Sequence, residues 1–217
     1  MTSNAFKSLS GNVKALRQQF LPKRFKITGN YDDRVFVGVV AFRVLSHGAL
    51  EEYFEARATE LARMAHVSYR DTGRMSVTAG CLIAFSGGEM RLPPETIDAP
   101  QPTKAANWAS EIDIMQRVGA CASKYIARVK NDNHGVRERN LLSILLPIGI
   151  RHDKIDRLLI SELDNFGRIR GEYAHSGVVT HVRRRPDPKD ELLKVRKIIE
   201  LIRTIDIEFD LLLAQLK

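Results

Sequence analysis

Residues 168–177 read RIRGEYAHSG, and they crowd reactive side chains of several kinds into one short stretch. Two arginines, a glutamate, a tyrosine and a histidine lie within ten positions and end at Gly177. Arg170 and His175 are the pair to weigh. An arginine fork binds the non-bridging oxygens of a phosphate and stabilises charge that builds on them. A histidine moves protons near neutral pH. Five residues of α-helix place these two about 140° apart around the axis and about 7.5 Å along it. One straight helix therefore points them differently, and a second copy related by a two-fold axis would bring an arginine and a histidine into one cleft.

Their neighbours share a sign. Between 166 and 185 the chain carries Arg168, Arg170, Arg183, Arg184 and Arg185 with His175 and His181, and Glu172 is the one acid. Basic side chains at a helix C-terminus account for one or two of these arginines. Five suit a polyanionic backbone. The net charge of +8 agrees with anionic partners. RNA carries its own nucleophile, the 2′-hydroxyl, so a protein need only activate it, hold the phosphate and protonate the leaving oxygen. That chemistry asks for no metal ion and no other cofactor.

Other constellations are weaker. His152-Asp153 lacks the further ligands of a metal-dependent phosphohydrolase. His47, Glu51 and Glu55 share a helix face at i, i+4, i+8, but no Glu-x-x-His pairs accompany them, so a solvated or capped face is expected. Asn133 and His134 are expected to sit in a helix-capping loop. Ser46 and Ser161 lack a strand-turn-helix elbow, and no P-loop or GxGxxG occurs. Cys81 and Cys121 lie far apart without a CxxC pair, which suits a reducing cytoplasm. No apolar run is long enough for a membrane span, and the first residues do not read as a secretory signal.

The elements that must position these residues are helices. Phe6, Leu9, Val13, Leu16 and Phe20 make one stripe over residues 4–20. Asp32 and Asp33 can cap a long helix to about Tyr69, its first half nearly all apolar and buried, its second amphipathic through Leu50, Phe54, Leu61 and Met64. A short helix spans MSVTAGCLIAF, and a Gly- and Pro-rich loop follows over 86–104. Further helices run from about Trp108 to Val129, from near Val136, and from Asp153 to Gly177. The last helix, about 188–216, repeats Val195, Ile198, Ile202, Ile205, Phe209, Leu212 and Leu216 at heptad spacing. A core-facing bundle helix is favoured over an intermolecular coiled coil. Period-two alternation is almost absent, so the expected fold class is all-α, a helical bundle. The expected division is an amphipathic helix and basic arm over 1–30 and a bundle over 31–217.

Three segments carry a resemblance. LDNFGRIRGEYAHSG resembles the motif region of HEPN domains, an arginine followed four to six residues later by a histidine. AFRVLSHGALEEYFE and NHGVRERNLLSILLPIGI, which precede it in that order along the chain, resemble the RiboL-PSP-HEPN branch, and the likeness covers roughly residues 10–190. The resemblance implies an all-α bundle paired as a two-fold homodimer, with both motif helices lining one cleft. It implies a metal-independent endoribonuclease in toxin–antitoxin systems, phage defence or RNA processing, with RNA and an antitoxin or other defence protein as partners. Some members of that family only bind or scaffold. Carried over, Arg170 is the phosphate clamp and His175 the proton-transfer group. The position after the arginine, often polar in catalytic branches, is Gly171 here. Glu172 would take its supporting role or pair with Arg168, and Tyr173 would orient the histidine, stack on a base or pack in the bundle. Arg168 and Arg183 to Arg185 would guide RNA. His181 would assist or lie on the surface.

Overall fold

The computed structural model describes residues 2–87, 114–168 and 185–216. Among them are seven α-helices and no strand, as the periodicity requires. They are α1 (Asn4–Phe20), α2 (Asp33–Thr72), α3 (Val77–Ala84), α4 (Ile114–Asp132), α5 (Glu138–Leu145), α6 (157–168) and α7 (Pro188–Ala214).

The 40-residue α2 is the axis of the bundle. α1, α4 and α7 pack along it, and α3 and α5 close one end through the 3-10 turn Leu146–Ile148. The seven residues of the α7 seam are all buried, so this stripe faces the core of its own chain. Phe209 meets the fully buried Leu50, Phe54 and Leu61 of α2 in one continuous core. Phe6, Leu9 and Val13 of α1 join that same core.

A polar latch fastens α1. Ser3 is its N-cap and accepts from the Phe6 amide. The Ser3 amide and hydroxyl both donate to the buried Asp206 carboxylate of α7, at 3.0 and 2.7 Å. Tyr53 donates to the same carboxylate at 2.9 Å, and the Arg57 Nε lies 3.2 Å from it. Burial, then the Asp206 charge, pushes the Tyr53 phenol well above its ordinary range.

Several elements differ from expectation. The first half of α2 is not uniformly buried: Val37, Val44 and Leu45 face outward, and so does Met64 farther on. A run of apolar residues on a helix lines every face, and only packing decides which face is covered. Asp32 caps α2 through its backbone position without a side-chain bond. The helix expected from Asp153 begins after Asp156 instead. Residues His152–Lys154 form a 3-10 turn, Arg151 grips Asp153 with two hydrogen bonds, and Asp156 Oδ1 accepts from the Leu158 amide. Two aspartates three residues apart compete for the cap, and the one free of an arginine takes it.

Candidate functional site

Of the residues singled out for chemistry, Arg168 and Arg185 are described. Arg170, Glu172, Tyr173, His175, His181, Arg183 and Arg184 lie outside the described residues. The described chain nevertheless defines what holds both flanks of that stretch. Arg168 is exposed at the last described position of α6. Arg185 is exposed and has a left-handed backbone, φ 47°, that a side chain seldom adopts. Its guanidinium lies 5.8 Å from the centre of the Phe36 ring, near the start of α2.

The α6 flank is built more deeply. Arg43, His47 and Glu51 occupy successive turns of one face of α2. Arg43 Nη1 is 2.8 Å from Glu191 Oε2 of α7, and both side chains are buried. The Arg43 guanidinium also lies 4.9 Å from the centre of the Phe166 ring. His47, 2 % exposed, stacks on that ring at 6.2 Å with planes 17° apart. Its Nδ1 is 3.8 Å from Glu51 Oε2. Asn133 donates to Glu55 at 2.7 Å and to Glu51 at 3.4 Å, tying the α4–α5 loop to the same face.

Glycine makes this approach possible at two points. A Cβ at Gly167 would lie 3.0 Å from Arg137 Cγ and 3.6 Å from His47 Nε2. A Cβ at Gly135 would lie 3.5 Å from His47 Cε1, and its φ of 133° is open to glycine alone. Arg137 in turn pairs with Asp164 of α6 at 3.2 Å. The imidazole is thus enclosed by α2, the loop before α5 and the last described turn of α6.

This corrects the expectation of a solvated or capped His47–Glu51–Glu55 face. His47 is core and Glu51 and Glu55 are half-buried, bridged by Asn133, which has a positioning role that its loop location did not suggest. His134 is exposed. Arg43 and Glu191 were not singled out from the sequence, although Arg43 stands in the apolar run VFVGVVAFRVL. A charge inside such a run needs a partner when the run is buried, and that rule would have flagged it. The partner, 148 positions away, could not be read from local spacing.

Among the described residues no three of His, Cys, Asp and Glu come together as a metal site, and no helix is long and apolar enough to cross a membrane. The arrangement can do one thing chemically. It fixes the axis and rotation of α6 through the aromatic ring at Phe166, four positions before Arg170, with two cationic or titratable groups packed on that ring. No protein-family model, curated protein or solved structure matches the chain.

Proposed function

We propose that the protein is a HEPN-type, metal-independent endoribonuclease acting as a two-fold dimer, with Arg170 and His175 of both chains in one composite site. One observation supports this reading above others. The three segments that carry the resemblance are distant in sequence, yet their described parts converge around the buried Arg43, His47 and Phe166. Arg43 and His47 come from the first, Asn133, Gly135 and Arg137 from the second, and Asp164, Phe166 and Gly167 from the third. That cluster anchors α6 directly before Arg170, which is where a catalytic pair needs a rigid mount.

In the proposed reaction one His175 takes the 2′-hydroxyl proton as the oxygen attacks phosphorus. Arg170 holds the non-bridging oxygens while their charge rises. The bond to the 5′ oxygen breaks, and that oxygen takes a proton from the second histidine. The products are a 2′,3′-cyclic phosphate and a 5′-hydroxyl, so no water is consumed. Arg168 and Arg183 to Arg185 guide the strand.

The test is single-stranded RNA incubated with the full chain in excess EDTA. Cleavage to cyclic-phosphate ends is expected, with loss of at least 100-fold in rate for Arg170→Ala and His175→Ala, within the range of about 10²–10⁴ for lost acid–base catalysis. Binding without cleavage would replace the enzyme by the alternative, a HEPN dimer that only binds RNA, a nucleotide or a partner protein.

A further inference from the structure

A cavity of about 640 Å³ opens between α5 and α6. Its size falls within the range of small-molecule pockets, about 300–1,000 Å³. Leu142, Ile155 and Ile160 line it with apolar surface. Arg157, Ser161 and Asn165 of α6 line it with polar groups, Glu138 of α5 and Asp164 of α6 add carboxylates, and His152 adds an imidazole. Arg157, Ser161, Asn165 and Glu138 are exposed.

Their hydrogen-bonding state sets them apart from the charges around them. Arg137 is engaged by Asp164, and Arg151 by Asp153 through two bonds. Asp164 also accepts from the Glu138 amide, and Asp156 is used as a helix cap. By contrast, the side chains of Arg157, Ser161, Asn165 and Glu138 make no hydrogen bond or ion pair with the described residues. A cation, an amide, a hydroxyl and a carboxylate therefore stand ready around an apolar floor.

We infer that this cavity is a nucleotide subsite, which takes a base of a single-stranded RNA next to the one being cleaved. The apolar floor suits the face of a base, which loses little by leaving water. The Asn165 amide both donates and accepts, so it can read a base edge. Glu138 only accepts, so it favours a base that offers adjacent N–H donors, guanine above uracil. Arg157 matches the phosphate. Ser161, Asn165 and Arg168 follow one face of α6 at i, i+4, i+7, so the pocket lies on the helix face that leads to Arg168, two positions before Arg170 in the chain. The inference rests on the RNA reading above and names a specificity determinant for it.

The test uses the full chain carrying His175→Ala, so that bound RNA stays intact, and a fluorescein-labelled single-stranded RNA of mixed sequence. Anisotropy is followed across a series of KCl concentrations. Arg157→Gln should lower the slope of log K against log salt by about 0.7, the contribution of one phosphate contact on a single strand. Asn165→Ala should weaken binding about 5- to 10-fold and leave the slope unchanged, as loss of a base contact does. Guanosine monophosphate should bind at least 5-fold tighter than uridine monophosphate, and Glu138→Gln should remove that difference. These side chains are exposed, and circular dichroism will show that the variants stay folded. Unchanged affinity and slope in Arg157→Gln, or equal binding of the two nucleotides, would overturn the subsite. Catalysis is judged separately on the unmodified chain. If that chain cleaves RNA and Arg157→Gln keeps its KM, the subsite falls and the enzyme stands. If it cleaves nothing but the binding shifts appear, the enzyme reading falls and the subsite stands.

Discussion

Replacing Glu191 by leucine tests whether the cluster beneath α6 is built on a desolvated ion pair. Glu191 and Arg43 are 2 % and 3 % exposed, with 2.8 Å between Oε2 and Nη1. In water two charges at about 4 Å attract by roughly 1 kcal/mol, and at an effective dielectric of about 20 by roughly 4 kcal/mol. The burial places this pair nearer the second case. Removing one partner also leaves a guanidinium in the core without its carboxylate, and such losses reach about 3–5 kcal/mol. The other Glu191 contact, to the half-exposed Lys194 at 2.8 Å, adds no more than about 0.5 kcal/mol. Against a total stability of about 5–15 kcal/mol, the single variant should lose a large share and melt roughly 6–20 °C lower. The double variant Arg43→Met with Glu191→Leu removes both charges and keeps apolar volume. It should recover at least about 2 kcal/mol relative to Glu191→Leu, because an apolar replacement of a whole pair is often close to neutral. Urea unfolding of wild type, both single variants and the double variant measures the coupling. A loss below about 1 kcal/mol in Glu191→Leu, with an unchanged urea m value, would refute the argument by showing that water reaches the pair.

Two glycines of α2 should respond in opposite senses to the same change. Gly48→Ala meets no atom within 4 Å and should stabilise by about 0.5–1 kcal/mol, whereas a methyl at Gly38 runs into the Phe20 carbonyl oxygen and should destabilise by about 1–3 kcal/mol; urea midpoints decide. Stability should also fall steeply in alkali. Burial raises the phenols of Tyr125 and Tyr53, the latter with help from Asp206. A raised acid keeps its stabilising effect below the unfolded pKa of about 10 and loses it as pH climbs above that value. Each tyrosine should remove about 1.4 kcal/mol per pH unit there, and Tyr53→Phe should halve the slope of urea midpoints between pH 10 and pH 11.

Local spacing was enough to read the helices, because a helix repeats its contacts every 3.6 residues and that period is written in adjacent positions. The α7 seam is the clearest instance. Its heptad spacing named seven core residues, and all seven are buried. The α1 stripe was legible in the same way for Phe6, Leu9 and Val13, although Leu16 and Phe20 are only partly covered. The candidate site was legible in part. Residue chemistry and resemblance singled out Arg170 and His175, which lie outside the described residues, while the groups that hold the described part of α6 were missed or misread. His47 looked solvated because its neighbours at i+4 and i+8 are acids. It is core because Gly135 and Gly167, 88 and 120 positions later in the chain, leave room for its ring.

What this chain determined by sequence alone is therefore everything that depends on neighbours within about two turns. That covers the all-α class, the helix spans to within a few residues, and the density of basic groups around Arg170. What only tertiary structure decided is which face of α2 is dry, whether His47 is solvated, and which charge Arg43 meets. Those outcomes depend on desolvation, and a side chain loses its water only when distant segments close over it. Arg43 and Glu191 are unremarkable charges until α7 lies against α2. Once it does, breaking the pair becomes one of the larger energies in the protein.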